Sequence, residues 1–152
     1  MKLAEALSER ADLKRRLGQL KYRLENNALA QEGDRPAEDP QALLSELTGV
    51  TERLEALVTA INLTNASTHT EDGRTLTSML AKRDVLGQKV AIYRDFLDHA
   101  SEKVYLARGK EIKIHSTVDV AALRKQVDAA AKTLRELDVT IQGINWTTEL
   151  QL

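Results

Sequence analysis

The sequence predicts a mainly α fold: an elongated bundle of four long helices, arranged as two helix hairpins, with one short β-hairpin inserted in the second. Apolar residues recur at steps of three and four along most of the 152 residues, which is the period of an amphipathic helix. Seven glycines, two prolines and five aromatic residues (one Phe, one Trp, three Tyr) are few for a sheet protein. The length suits one domain, so we expect residues 1–152 to form a single helical domain.

The first hairpin is predicted over residues 1–65. Its first helix runs from about Lys2 to about Leu29, and its second from about Pro40 to about Asn65. Asp39 followed by Pro40 favours a helix start there, because an aspartate caps the first turn and proline suits the first helical position. The apolar positions that define the two stripes are Leu3, Leu7, Leu13, Leu17, Leu20 and Leu24, then Leu43, Leu44, Leu47, Val50, Leu54, Leu57, Val58 and Ile61.

Charge supports the pairing of these two helices. Residues 2–25 carry seven basic and four acidic side chains, whereas residues 31–58 carry two basic and seven acidic ones. Exposed ion pairs contribute about 0–1 kcal/mol each, so this match is expected to set orientation more than stability.

The second hairpin is predicted over residues 75–152, after a polar loop at residues 66–74. Its first helix begins near Thr75 and fades after about Glu102, and its second is capped by Thr117 or Asp119 and ends near Trp146. Between these helices the apolar period changes to alternation, which predicts a β-hairpin near residues 104–116.

The predicted ribbon also suggests oligomerisation. A two-stranded ribbon is marginal alone, and its unpaired edge needs cover. We therefore expect a homo-oligomer in which Ile112 and Ile114 contact another copy.

An internal duplication explains the repeated pattern. Aligning Leu3 with Leu76, an offset of 73, places the leucine stripe of the first helix on that of the third, and it places Arg10 on Arg83. An offset of 83 places the string that begins at Ile61 (Ile-Asn-Leu-Thr) on the one that begins at Ile144 (Ile-Asn-Trp-Thr). The difference between the two offsets is about the size of the predicted β-hairpin.

The two arginines define a candidate polar layer. Arg10 and Arg83 fall in gaps of the leucine stripes, so both are expected to point inward and to be largely buried. A buried guanidinium needs a partner, and antiparallel register places Glu55 near Arg10 and Asp138 near Arg83. The layer is interpreted either as a structural device that fixes helix register or as a site for a small polar or anionic ligand. Its candidate residues are Arg10, Glu55, Asn62, Thr64, Arg74, Arg83, Asp138, Asn145 and Thr147.

Several classes of function are disfavoured. The chain has no cysteine, and it has no phosphate-binding loop, nucleophile elbow or zinc-protease motif, so we expect no enzymatic activity and no cofactor. Asp95, Asp98 and His99 share a helix but lack the partners of a helical di-iron site, so no metal is expected. A net charge of −1 with few aromatic residues argues against nucleic-acid binding. The N-terminal residues lack an apolar signal and no long apolar run occurs, which predicts a cytoplasmic protein without membrane contact.

The chain resembles the septicolysin-like family, a group of small bacterial proteins of unknown function. The resemblance spans nearly the whole chain, and it implies no catalytic residues. The family name implies a membrane-active toxin as one possible function. The strings that carry the resemblance begin at Met1 (MKLAEAL), Ala37 (AEDP), Ile61 (INLTN), Asp72 (DGRTL), Thr117 (TVDV) and Ile144 (INWTTEL).

The sequence therefore leaves three functional classes. The favoured one is a helical interaction or structural module that acts as a homo-oligomer. The second is a small-ligand binding protein, or an enzyme of unrecognised type, that uses the polar layer. The third is the membrane-active toxin.

Overall fold

The computed structural model describes residues 1–101 and 114–151 and is mainly helical, as predicted. The helices are α1 (Leu3–Asn26), α2 (Pro40–Ser67), α3 (Leu76–Ser101) and α4 (Val120–Thr147). At 1.5 Å per residue, each is about 36–42 Å long. The chain divides into two compact units: unit one comprises Met1–Thr75 with Gln142–Leu152, and unit two comprises Leu76–Ile141.

The start of α2 follows the predicted chemistry. The Asp39 side chain accepts a hydrogen bond from the Gln41 amide at 3.0 Å, and Pro40 occupies the first helical position. At the start of α4 the structure decides between the two predicted caps, because the Asp119 carboxylate accepts from the Ala122 amide at 3.0 Å. A side-chain oxygen thus satisfies an amide that the first turn of each helix would otherwise leave unpaired.

One buried amide shapes the α1–α2 connection. The side chain of Asn27, which is 7% exposed, donates to the Arg23 carbonyl at 2.8 Å and accepts from the Glu38 amide at 2.9 Å. Both ends of the connection are therefore fixed by one residue immediately after α1. Gly33 supplies the left-handed backbone (φ 89°) that the intervening turn requires.

Each unit has an apolar cluster between its own helices. In unit one, side chains from α1 and α2 pack together: Leu20, Leu43 and Val50 are buried, with Leu13, Leu17, Leu24 and Leu47 around them. In unit two, side chains from α3 and α4 do the same: Leu97, Leu123 and Val127 are buried, with Tyr93, Ala100, Val118 and Val120 around them. These residues belong to the predicted stripes or lie next to them.

The predicted β-hairpin at residues 104–116 lies largely outside the described residues. The part that can be compared, residues 114–116, has no regular secondary structure, so the hairpin is not supported. The only β-type pairings in the described residues are two isolated bridges. A two-stranded ribbon has few contacts of its own, so sequence alternation alone is weak evidence for one.

The helix boundaries support the internal duplication but correct one offset. Leu3 starts α1 and Leu76 starts α3, which is the predicted offset of 73. The helices α2 and α4 have 28 residues each and begin at Pro40 and Val120, which gives an offset of 80 rather than 83.

Two junctions in unit one repeat the same backbone pairing. An antiparallel bridge joins His69 to Thr75 between α2 and α3, and another joins Glu149 to Lys2 where the two ends of the chain meet. Glu149 is the counterpart of His69 at the offset that relates α4 to α2. Thr75 is the counterpart of Lys2 at the offset that relates α3 to α1. The repeat therefore includes the junctions as well as the helices.

Candidate interaction surfaces

The predicted pair of Arg83 and Asp138 is present in unit two. Their Nη1 and Oδ1 atoms are 3.8 Å apart, and Asp84 accepts hydrogen bonds from the Arg83 Nε and Nη2 at 3.0 and 2.9 Å. The side chains of Arg83 and Asp138 are 35% and 47% exposed, so the prediction of a largely buried arginine is wrong. The aliphatic part of an arginine can cover apolar surface while its charged end stays in water, which explains its place in the stripe.

Arg10 behaves differently from its counterpart Arg83. Its side chain is half-buried, and no hydrogen bond or ion pair joins it to the described part of the chain. Glu55, its predicted partner, is exposed. The contact between a carboxylate and an arginine in this part of the helix pair is instead made by Glu9, next to Arg10 in the chain, and Arg53. Its Nε–Oε1 and Nη2–Oε2 distances are 2.7 and 2.8 Å.

The predicted equivalence of the two Ile-Asn-x-Thr strings is wrong. Ile61 is 1% exposed and corresponds to the equally buried Ile141, not to Ile144. Three residues turn a helix through about 300°, so the mismatch between offsets of 83 and 80 rotates the string onto a different part of the surface. Thr64 is accordingly fully buried, whereas Thr147 is exposed.

The remaining ligand candidates are dispersed. Asn62 is exposed and Asn145 is half-buried, while Arg74 is exposed and donates to Asp72 at 2.7 Å. Within unit one, no hydrogen bond of the described residues joins any two of the ligand candidates. The Thr64 hydroxyl instead donates a hydrogen bond to the Ala60 carbonyl and accepts one from the Gln151 amide. Both hydrogen bonds hold parts of the chain together.

Arg23 of α1 and Glu46 of α2 form an ion pair, as the predicted charge match requires, whereas the Glu9–Arg53 pair has the opposite polarity. The Arg53 guanidinium lowers the pKa of the Glu9 carboxyl chiefly by hydrogen bonding to it. Arg23 lowers the pKa of Glu38 in the same way, and its own pKa is raised. These shifts arise from surface pairing that fixes the helix pair, so they do not mark a catalytic group.

A second apolar line on α3 was missed by sequence reasoning. Val85, Ile92 and Phe96, here called the α3 ridge, are 66%, 67% and 46% exposed. Their spacing of seven and four residues places them on one face, away from the stripe that carries Val90 and Leu97. These residues have the same helical period as the leucine stripe, and the period alone does not distinguish a buried face from an exposed one.

The flank of the α3 ridge is basic. Lys82 and Lys89 are exposed, and the Lys89 ammonium lies 5.3 Å from the centre of the Tyr93 ring. Neither lysine makes an ion pair within the described residues. The ridge thus combines exposed apolar side chains with positive charge.

An apolar groove of about 440 Å³ lies on α2 in unit one and is here called the α2 groove. Its floor includes the small residues Ala56 and Ala60, Leu63 lies at one end, and Glu52 and Glu55 lie at the other. Both glutamates are exposed, and neither has an ion-pair partner in the part of the chain that the structure describes. The groove thus combines apolar surface with negative charge.

Metal-binding side chains do not cluster in the described part of the chain. Among residues 1–101 and 114–151, no group of three or more of them is assembled, and the His99 ring nitrogen Nδ1 is 2.8 Å from the Asp95 carbonyl oxygen. No helix in these ranges has both the length and the apolar character needed to cross a bilayer. Of the two predicted oligomer contacts, Ile112 lies outside the described residues and Ile114 is 66% exposed.

The described residues form four helices, and two of these helices expose an apolar face. The chain belongs to a family of unknown function, DUF6847, whose model matches residues 10–150. A solved structure, the crystal structure of a functionally unknown conserved protein from Corynebacterium diphtheriae, is 43% identical and has a TM-score of 0.91. The match covers 99% of both chains. No curated protein matches the chain.

These comparisons correct the resemblance to the septicolysin-like family. The family model and the solved structure both point to proteins of unknown function, and neither points to septicolysin. The strings that suggested the resemblance include helix starts and ends, where capping and turn chemistry restrict the choice of residues. The toxin hypothesis, which depended on that resemblance, therefore has no support.

Proposed function

We propose that this protein is a helical interaction module that associates with copies of itself through the α3 ridge. The observation that carries the proposal is the exposure of three large apolar side chains on one face of one helix. Scattered apolar residues are normal on a protein surface, but an aligned set on one helix face is typical of a helix-docking site. A cytoplasmic location stays part of this proposal.

The internal duplication provides a comparison within the same chain. At the offset that relates α3 to α1, Val85, Ile92 and Phe96 correspond to Asp12, Gln19 and Arg23. A helix of this fold therefore forms with polar residues at all three positions, so folding alone does not account for the apolar character of the ridge. A binding role accounts for it.

The contact area sets the expected affinity. A helix face from Lys82 to Phe96 is about 21 Å long and about 10 Å wide, so two such surfaces together bury roughly 400 Å². Interfaces below about 1,200 Å² are typical of weak or transient complexes. We expect a dissociation constant on the order of 10–100 µM for one such contact.

Sedimentation velocity over about 5–500 µM protein tests the proposal, because this range brackets the expected dissociation constant. We expect the weight-average mass to rise with concentration for the natural sequence and to stay at the monomer value for Ile92→Lys. Val139→Lys is the matched control, since Val139 is equally exposed (69%) but lies on α4. A constant monomer mass for the natural sequence would contradict the proposal.

A second candidate function is binding of a small polar ligand in unit two. Arg83, Asp84 and Asp138 line an open groove of about 670 Å³ between α3 and α4. The two carboxylates exceed the arginine by one charge, so this groove favours a neutral or cationic ligand over the anion that the sequence suggested. A thermal-shift screen of metabolites tests it, because a ligand at a hundred times its dissociation constant stabilises the fold by about 2.7 kcal/mol.

A further inference from the structure

We infer that the α3 ridge of one copy docks into the α2 groove of a second copy, with Lys89 next to Glu52 and Glu55. This inference rests on the proposed self-association and specifies which two surfaces meet. The ridge is a raised apolar line and the groove is an apolar depression, and each exists on the monomer without a partner.

Charge provides the first argument for a second copy as the occupant. The ridge is flanked by Lys82 and Lys89, and one end of the groove carries Glu52 and Glu55. None of these four groups has an ion-pair partner within residues 1–101 and 114–151. The two surfaces are therefore opposite in charge, and each supplies what the other lacks.

Spacing provides the second argument and gives the direction of the helices. Val85, Ile92 and Phe96 are separated by seven and then four residues, and so are Gly49, Ala56 and Ala60 of α2. Ala56 and Ala60 line the groove, and Gly49 lies on the same helix just before it. A side chain built at Gly49 would meet no atom within 4 Å, so this position is open. Because the steps follow the same order, large residues meet small ones only when α2 and α3 of the two copies run parallel.

The same register brings the charges together. Aligning Ile92 with Ala56 places Lys89 level with Arg53, whose guanidinium is already bound to Glu9. Measured along the helix axis, Glu52 then lies one residue before the level of Lys89 and Glu55 lies two residues after it. Both axial offsets are within about 3 Å. Apolar packing and ion pairing thus agree on one register.

The duplication separates the two surfaces into different halves of the chain. At the offset that relates α4 to α2, Gly49, Ala56 and Ala60 correspond to Ala129, Glu136 and Thr140. The long side chain of Glu136 stands where the groove has Ala56, so α4 does not repeat the groove, just as α1 does not repeat the ridge. A contact between two different surfaces requires that the ridge and the groove lie on different helices, as they do here on α3 and α2.

Charge reversal with mixing tests the inference. One variant carries Glu52→Lys and Glu55→Lys, and the other carries Lys82→Glu and Lys89→Glu. Each variant alone then has like charges on both surfaces, and we expect its self-association to weaken at least ten-fold. In an equimolar mixture, each ridge meets a groove of opposite charge, and association should return to within about three-fold of the natural sequence.

Glu32→Lys with Glu71→Lys is the matched control for the glutamate variant, because it changes the net charge by the same amount at exposed positions outside both surfaces. Circular dichroism of each variant checks that the helices are intact. If single variants lose association but the mixture does not regain it, the two surfaces do not contact each other and the inference is overturned.

Failure of the proposed function gives a different result. If the natural sequence is monomeric at every concentration, both the function and this docking are wrong. If it associates and both charge variants associate equally well, self-association stands and the ridge–groove contact is wrong. If these surfaces bind a different protein instead, the natural sequence will be monomeric at every concentration.

Cysteine cross-linking gives a second readout that does not depend on charge. The chain contains no cysteine, so single variants report one position each. We expect Ala56→Cys mixed with Ile92→Cys to form a disulfide-linked pair of the two variants, because disulfides form when the Cα atoms approach within about 7 Å. Val139→Cys in place of Ile92→Cys should cross-link at least ten-fold more slowly; equal rates would overturn the inference.

Discussion

Thr64 holds the C-terminal segment to α2 through a buried hydroxyl. The residue is fully buried, and its Oγ1 atom donates to the Ala60 carbonyl at 2.8 Å and accepts from the Gln151 amide at 2.9 Å. Thr64→Val keeps the shape of the side chain and removes only this oxygen. The Gln151 amide then loses its acceptor in a partly buried position.

The expected cost follows from these contacts. A buried donor without a partner destabilises a protein by about 1–3 kcal/mol, and the added methyl group offsets part of this, so we expect a net loss of about 1–2 kcal/mol. For a protein of this length, that corresponds to a melting temperature lower by about 2–8 °C. Thr51→Val is the control, because its hydroxyl is exposed and donates only to backbone carbonyls of its own helix. It should change the free energy of unfolding by less than about 0.5 kcal/mol.

Urea unfolding and hydrogen exchange measure the two parts of this prediction. Thr64→Val should lower the unfolding midpoint without changing the slope, and the Gln151 amide should exchange faster. Thr64→Ser should keep the Gln151 amide protected, because it retains the acceptor oxygen. If Thr64→Val unfolds at the same urea concentration as the natural sequence and its Gln151 amide stays protected from exchange, the reasoning is refuted.

Three further predictions concern polar contacts. In Arg53→Met, the pKa of Glu9 should rise toward its ordinary value, as measured by NMR titration. A carboxyl group whose pKa is lowered in the folded state stabilises the fold at pH values above its unfolded-state pKa. This stability is lost as the pH falls through the folded-state pKa. The natural sequence should therefore lose more stability on acidification than Arg53→Met. Replacing Arg83 by Met and Asp138 by Leu together should change unfolding free energy by less than about 1 kcal/mol, because the pair is half-exposed; a larger loss in urea unfolding would contradict this. Asn27→Ala should cost about 1–3 kcal/mol in the same assay, because it leaves the partly buried Glu38 amide without its acceptor, and an unchanged midpoint would contradict it.

The helices were predictable because their evidence is local. The start at Pro40 follows from Asp39 and proline chemistry, and the stripe leucines that form the apolar clusters follow from the helical period. The Arg83–Asp138 pair was predictable for a related reason, since antiparallel helices joined by a connection bring together residues whose numbers have a constant sum. These features require no knowledge of more distant parts of the chain.

The features that were not predictable depend on rotation about a helix axis or on distant contacts. The string at Ile144 matches the one at Ile61 in letters, but the buried counterpart of Ile61 is Ile141, because packing across the helix pair selects the face. Arg10 occupies the same gap as Arg83, yet the carboxylate at this level is bound by Arg53 instead. The α3 ridge was overlooked because the period of an apolar line is the same whether it faces a core or a partner.

The Corynebacterium diphtheriae protein offers a test that needs no new variant. Its chain aligns over 99% of its length at 43% identity, so more than half of the positions differ. If both proteins use the ridge–groove contact, the ridge positions should stay apolar, the floor of the groove should stay small, and the flanking charges should stay opposite or reverse together. A surface without a function has no reason to keep all three properties while the rest of the chain diverges. A relative with charged residues at the ridge positions and an unchanged acidic groove would therefore count against a contact shared by the family.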